Sequence, residues 1–280
     1  MPIERRELGK TGRQLSAVGF GSIAVRDESP EFAADLVAEA MDRGINYFDV
    51  APSYGDAEVK LGPALEPYRS DVFLACKTTE RDAAGARREL EQSLINLQTD
   101  HLDLYQIHAV TTMEDVEAVF SAGGALETFL EAREKGQTEF IGFSAHSEEP
   151  AIAMLDRFAF DSVLFPLNYV AWHQGKFGPK LVKRVKESGA GLLALKSLAK
   201  RKWEEGEERI WSKCWYKPVE NLEEAEHALG FALSIPVTAA VTPGHAELVR
   251  LACDAAERIN EYGFEPPAYS EMPQMEPVFS

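Results

Sequence analysis

Cysteine is scarce in this chain. Cys76, Cys214 and Cys253 are the only three in 280 residues. Their odd number and their spacings match no zinc or disulfide pattern. A disulfide-stapled scaffold is therefore excluded, and reduced thiols in a cytoplasmic protein are the expectation. Cys76 lies next to Lys77 and reads as a small buried filler. Basic residues are also short, 29 against 46 acids, for a net charge of −17. Such a field repels nucleic acid and anionic membrane surfaces, so neither is an expected partner. Long apolar runs are missing: none could span a bilayer, and the opening Met-Pro-Ile-Glu-Arg-Arg has no apolar signal core. A Gly-rich dinucleotide fingerprint after the first strand is missing too, which argues against a doubly wound open sheet.

What is present is a regular alternation of short apolar runs and amphipathic stretches. Residues 4–16 read as a hairpin around Gly9 and Gly12. Strands are predicted at 17–22, 46–50, 71–77, 102–107, 139–144, 162–167, 191–195 and 237–241. Helices are predicted at 30–43, 57–66, 82–97, 124–135, from 148, at 177–188, 220–234 and 245–259. A long interruption covers about 199–219. Eight strand–helix units without a linker predict a single α/β domain over 1–280, a (β/α)8 TIM barrel. The tail, 261–280, carries Pro266, Pro267, Pro273 and Pro277 and is predicted not to form a regular helix. Disorder and draping over the barrel are both open for it.

The chain is organised around Tyr47-Phe48-Asp49-Val50-Ala51-Pro52-Ser53-Tyr54-Gly55. An apolar strand ends there in a turn. Asp49 sits inside the apolar run, where an unpaired carboxylate is costly, so a cationic partner is expected. Two later strands end in Lys77 and His108. In a parallel barrel such ends open onto one face, where active sites lie. A lysine beside Tyr54 favours the phenolate, an aspartate holds that lysine charged, and a histidine donates to a carbonyl oxygen. This set suits proton donation to a carbonyl while hydride arrives from elsewhere.

Asp49, Tyr54, Lys77 and His108 resemble the catalytic tetrad of the aldo-keto reductases, in that family's order. The stretches Leu8-Gly9-Lys10-Thr11-Gly12, Val18-Gly19-Phe20-Gly21 and Gly136–Ser144 are also similar to the family. The resemblance implies that the hairpin plugs the barrel bottom. It implies NADP as cofactor, with NAD possible, and a small carbonyl or alcohol as substrate.

Phosphate sites in such barrels cluster after the seventh and eighth strands. Lys196 marks the end of the seventh, Lys200-Arg201-Lys202 follows it, and Gly244-His245 begins the helix after the eighth. The Lys-Arg-Lys run reads equally as a phosphate contact and as a solvated charge cluster. Against the family, Leu195 stands where a tyrosine commonly stacks on the nicotinamide, and Ser144-Ala145 replaces a Ser-Asn pair. His146 and Asn168 are the nearby polar candidates, and Arg250 is the expected match for an arginine in the adenosine-phosphate clamp. Trp203, Trp211, Trp215 and Tyr216 crowd one acidic loop and are expected mostly to pack on the rim. A nucleotide-binding regulatory subunit is the competing function. A metal-dependent barrel hydrolase is disfavoured by the absence of paired His ligands on the first strand, and a zinc site would need three or four ligands to converge, with His108, His146 and His173 as the candidates. Oligomeric state is not legible.

Overall fold

In the computed structural model, which describes residues 3–265 and 274–280, the chain opens with an antiparallel hairpin of β1 (Arg5–Glu7) and β2 (Gln14–Ser16). Seven strands follow: β3 (Val18–Gly21), β4 (Tyr47–Asp49), β5 (Phe73–Thr78), β6 (Leu102–Val110), β7 (Thr138–Ala145), β8 (Ser162–Pro166) and β9 (Gly191–Leu195). A small antiparallel pair, β10 (Ala199–Arg201) and β11 (Lys217–Pro218), interrupts the series before β12 (Ala239–Val241). The strands β3 to β9 are parallel neighbours in chain order, and β12 closes the ring between β9 and β3. The result is the eight-stranded parallel barrel expected, with the N-terminal hairpin outside it.

The helices are α1 (Pro30–Asp42), α2 (Ala57–Leu65), α3 (Ala83–Asn96), α4 (Met113–Phe120), α5 (Ala125–Glu134), α6 (Glu148–Arg157), α7 (Tyr169–His173), α8 (Pro179–Ser188), α9 (Leu222–Ser234) and α10 (Ala246–Tyr262). Their starts follow from local chemistry. The Ser29 side chain accepts from the Phe32 amide, and Pro30 opens α1. Asp82 accepts from Gly85 at the start of α3. One stripe of α1, Ala33, Leu36, Val37 and Ala40, is buried against the barrel.

Four features depart from the expectations. The helices α4 and α7 lie in stretches where the sequence reading placed no element. A Thr112–Asp115 capping box starts α4, and the Asn168 side chain caps α7. The interruption after β9 contains the β10–β11 pair. Residues 261 and 262 belong to α10 rather than to the tail. Pro266, Pro267 and Pro273 lie outside the described residues. Residues 274–280 lie against the barrel mouth: Met275 donates its amide to Gln174 Oε1 at 2.9 Å, and the Phe279 ring stacks on Phe177 at 5.3 Å.

Two cores result. One fills the space between strands and helices. The other lies inside the barrel and includes Tyr47, Phe73, Leu104, Leu164 and Leu193. Leu8 and Leu15 from the hairpin, each 0% exposed, join this inner core and plug the barrel bottom. The hairpin must come close to do so: at Gly9 (φ +54) a Cβ would stand 2.4 Å from the Gly191 amide nitrogen. Tyr47 fits inside because Gly19 faces it, where a Cβ would come within 2.4 Å of the Tyr47 ring.

Candidate active site

Side chains alternate across a strand, so residues two apart share a face. On β5 the inner-core residues Phe73 and Ala75 therefore lead to Lys77. On β6 Leu104 leads by the same rule to Gln106 and His108, and on β4 Tyr47 leads to Asp49. The parallel register pairs Asp49 with Ala75 and Lys77 with Gln106. Each of these strands thus fills the barrel with apolar side chains at its bottom and presents a polar one near the top. The turn Val50–Gly55 carries Tyr54 back over that end.

Lys77 is the centre. It is fully buried, and its Nζ lies 2.5 Å from Asp49 Oδ2. It also donates to the Val50 carbonyl at 2.9 Å and to the Tyr54 hydroxyl at 3.4 Å. The other oxygen of Asp49 accepts from the Tyr47 hydroxyl and from Gln106 Nε2, both at 3.2 Å. The carboxylate is therefore saturated, as a buried charge requires. The rings of Tyr54 and His108 meet edge to face at 6.0 Å. Ser53 Oγ lies 3.5 Å from His108 Nδ1.

Electrostatics assign the protonation states. Burial tends to discharge Lys77, but the Asp49 charge outweighs it, and the ammonium is held above its ordinary range. Burial raises the Tyr54 hydroxyl more than Lys77 lowers it, so the net shift is upward. The sequence argument had Lys77 setting a lowered value; its pull is present, and desolvation exceeds it. His108 is pushed down to about 2, first by burial and then by the neighbouring cations. It is a neutral imidazole at physiological pH.

These groups open into a cleft of about 340 Å³ at the top of the barrel, lined also by Ser144, His146, Leu195, Lys196, Trp215 and Gly244. Lys196 has a left-handed backbone (φ +58), a conformation that costs a residue with a side chain about 1–2 kcal/mol. Its Nζ lies 3.3 Å from His146 Nε2. Ser144 Oγ accepts from the Ala109 amide at 2.7 Å. Asn168 and Ser197 are buried and are not among the residues that line the cleft; Asn168 Oδ1 accepts from Ala171, while its Nδ2, like Ser197 Oγ, has no partner among the described residues.

The remaining expected cofactor residues lie differently. Lys200 pairs with Glu224 at 2.5 Å, Arg201 with Glu207 at 2.7 Å, and Lys202 with Glu276 at 2.7 Å. Arg250 pairs with Glu39 of α1 at 2.8 Å, on the outside of the barrel. None of these four lines the cleft. Gly244 does, and His245 next to it accepts from the Lys213 amide at 3.0 Å. Sequence reasoning did not single out Tyr47 and Gln106, the two residues that complete the Asp49 shell. The inward alternation of β4 and β6 was the available signal.

Comparisons with known proteins bear on the family and the fold. The model of the Aldo/keto reductase family matches residues 17–265. L-galactose dehydrogenase of Arabidopsis thaliana is 31% identical over 215 residues, covering 70% of this chain and 66% of that protein. The uncharacterized oxidoreductase YqkF of Bacillus subtilis is 29% identical over 157 residues, covering 51% and 49%. The chain thus spans about half to two thirds of the length of these curated relatives. In fold, it superposes on a solved aldo-keto reductase of Bacillus halodurans in its holo form. The TM-score is 0.73 and the identity 22%, over 96% of this chain and 94% of that one. No helix among the described residues is long and apolar enough to cross a membrane. With the family model matched over most of its length and the barrel in place, the chain belongs to the aldo/keto reductase family.

Proposed function

We propose that the protein is a nicotinamide-dinucleotide-dependent oxidoreductase that interconverts a small aldehyde, ketone or sugar-like carbonyl and its alcohol. The observation that carries this reading is the Lys77 ammonium, bound at once to Asp49 and to the Tyr54 hydroxyl. Tyr54, its hydroxyl raised by burial, is a protonated acid at neutral pH. It gives that proton to a carbonyl oxygen as negative charge develops there, and Lys77 stabilises the phenolate left behind. In the oxidative direction Tyr54 is the base. Neutral His108 donates a ring N–H to the same oxygen and orients it.

The cofactor reading rests on donor chemistry. Asn168 Nδ2 and Ser197 Oγ follow two neighbouring strands, β8 and β9, and lack partners. The start of α10, behind Gly244 and His245, has no side-chain cap, which leaves backbone N–H groups for an anion. Of these groups the α10 start adjoins the cleft through Gly244, which lines it together with Ser144, and that side of the cleft suits the phosphates of a dinucleotide. When bound, NADPH or NADH supplies the hydride. NADPH is the proposed preference. Lys200, Arg201, Lys202 and Arg250 would grip a phosphate only by giving up their present carboxylates.

The test is Tyr54→Phe, which keeps the ring and removes the proton. Reduction should fall by about 10²–10⁴-fold, the usual contribution of a general acid, with the NADPH dissociation constant unchanged. Turnover near wild type would remove Tyr54 from the chemistry.

A further inference from the structure

Three lysines line the cleft, and two have counter-charges. Lys77 has Asp49. Lys213 Nζ lies 2.8 Å from Glu28 and donates to the Ala24 carbonyl at 2.9 Å. Lys196 meets no carboxylate among the described residues. Its Nζ approaches the neutral ring of His146 at 3.3 Å and lies 5.5 Å from the ring centroid of Trp215 and 5.4 Å from that of Phe279. Among the described residues the one carboxylate lining the cleft, Asp49, has both oxygens committed. In a chain of net charge −17, this corner receives a cation and no anion.

The direction of the side chain says which ligand it serves. Lys196 follows β9, yet its amine reaches His146 at the end of β7. Its charge is felt at His108, together with that of Lys77. The ammonium thus turns toward the tetrad, and the start of α10 lies elsewhere around the rim, beyond β12. Two aromatic rings flank the cation, which favours a positive charge at that position. We infer that the substrate carries an anionic group, a carboxylate, held by Lys196 while its carbonyl lies at Tyr54 and His108. This rests on the carbonyl-reductase reading above. Burial, and after it the Lys77 charge, lowers the Lys196 amine to about 7, and no carboxylate among the described residues offsets them.

Binding tests this separately from turnover. Calorimetry on the full chain saturated with NADPH should find benzoate bound about 10–100-fold more tightly than benzamide, as a charged hydrogen bond implies. Lys196→Met and Lys196→Gln should each abolish that preference, and NADPH affinity should stay within about twofold of wild type, as for a residue off the cofactor. In turnover, the 3-formylbenzoate to 3-formylbenzamide ratio of kcat/KM should fall by the same factor in both variants. Equal binding of benzoate and benzamide by the wild type overturns the inference. So does a preference that survives both substitutions. Weakened NADPH with the benzoate preference intact assigns the amine to a cofactor phosphate and overturns it as well. If neither aldehyde is reduced, the carbonyl-reductase reading fails, and the calorimetry still decides whether Lys196 holds a carboxylate.

Discussion

Replacing Asp49 by asparagine preserves shape and removes one charge from a pair that is sealed off: the side chains of Lys77 and Asp49 are 0% and 3% exposed. Lys77 keeps the Val50 carbonyl and the Tyr54 hydroxyl as acceptors but loses its anion. Breaking a buried pair from one side costs about 3–5 kcal/mol, because the remaining charge is uncompensated. Lys77→Met should cost a similar amount, since Asp49 is then the stranded ion. The double variant strands neither, and a buried pair exchanged for neutral groups is often close to neutral in stability. It should therefore lie within about 2 kcal/mol of wild type, against roughly 6–10 kcal/mol for the sum of the two single losses. Urea unfolding at pH 7 measures all four proteins. The single variant Asp49→Asn carries a further signature. An unpaired buried lysine has its folded value below its unfolded one, so the native state sheds a proton first and stability rises with pH. The deficit should shrink as pH is raised toward the ordinary lysine range. An Asp49→Asn protein within 1 kcal/mol of wild type, on a scale where such losses are about 3–5 kcal/mol, or a double variant as poor as the sum, would refute the reasoning.

Other expectations concern the rim. Lys196→Met should raise the melting temperature, and by more at pH 6 than at pH 9. The folded Lys196 amine is lowered to about 7 from 10.5, so its burden on the native state is full below that window and fades across it; His146, which shares its surroundings, is down at about 3 and stays neutral throughout. A larger gain at pH 9 would contradict this. NADPH should bind more tightly than NADH. Changing Arg201 and Lys202 together to alanine should cost NADPH about 1.5–3 kcal/mol per charged hydrogen bond if they grip its extra phosphate. Equal losses for both cofactors in fluorescence titrations would assign the run to the pyrophosphate, and no loss to its carboxylates Glu207 and Glu276.

The barrel, and the meeting of Asp49, Tyr54, Lys77 and His108 at one end of it, were legible because they rest on local signals. Apolar runs at regular spacing give the strands, and a polar residue at the end of an apolar run stands out, as Asp49, Lys77 and His108 do. Tyr47 and Gln106 were not legible by that route. They are ordinary strand residues until the register places them opposite Asp49. The helix α4 had a readable signal in Thr112 and Asp115, whereas α7 is a single turn whose periodicity is too short to detect. The partners of Lys200, Arg201 and Lys202 come from 6 to 74 residues away in sequence, a distance no local pattern encodes. The clustering of Lys196 with His146, Trp215 and Phe279 joins four separate segments and is a product of the closed fold alone.

The strict two-residue alternation inside the barrel also governs how this chain can change length. One residue inserted in β5 between Ala75 and Lys77 would turn the Cys76 side toward the cavity and send Lys77 outward to the helix layer. The same slip in β4 or β6 would eject Asp49 or His108. Insertions and deletions of an odd number of residues within these strands therefore turn the polar residues out of the cavity, whereas changes where the chain has left the ladder leave that facing intact. Variation among descendants of this sequence is thereby channelled into the loops that ring the cleft. On the proposed function those segments meet the substrate, so drift in length becomes drift in what the protein accepts.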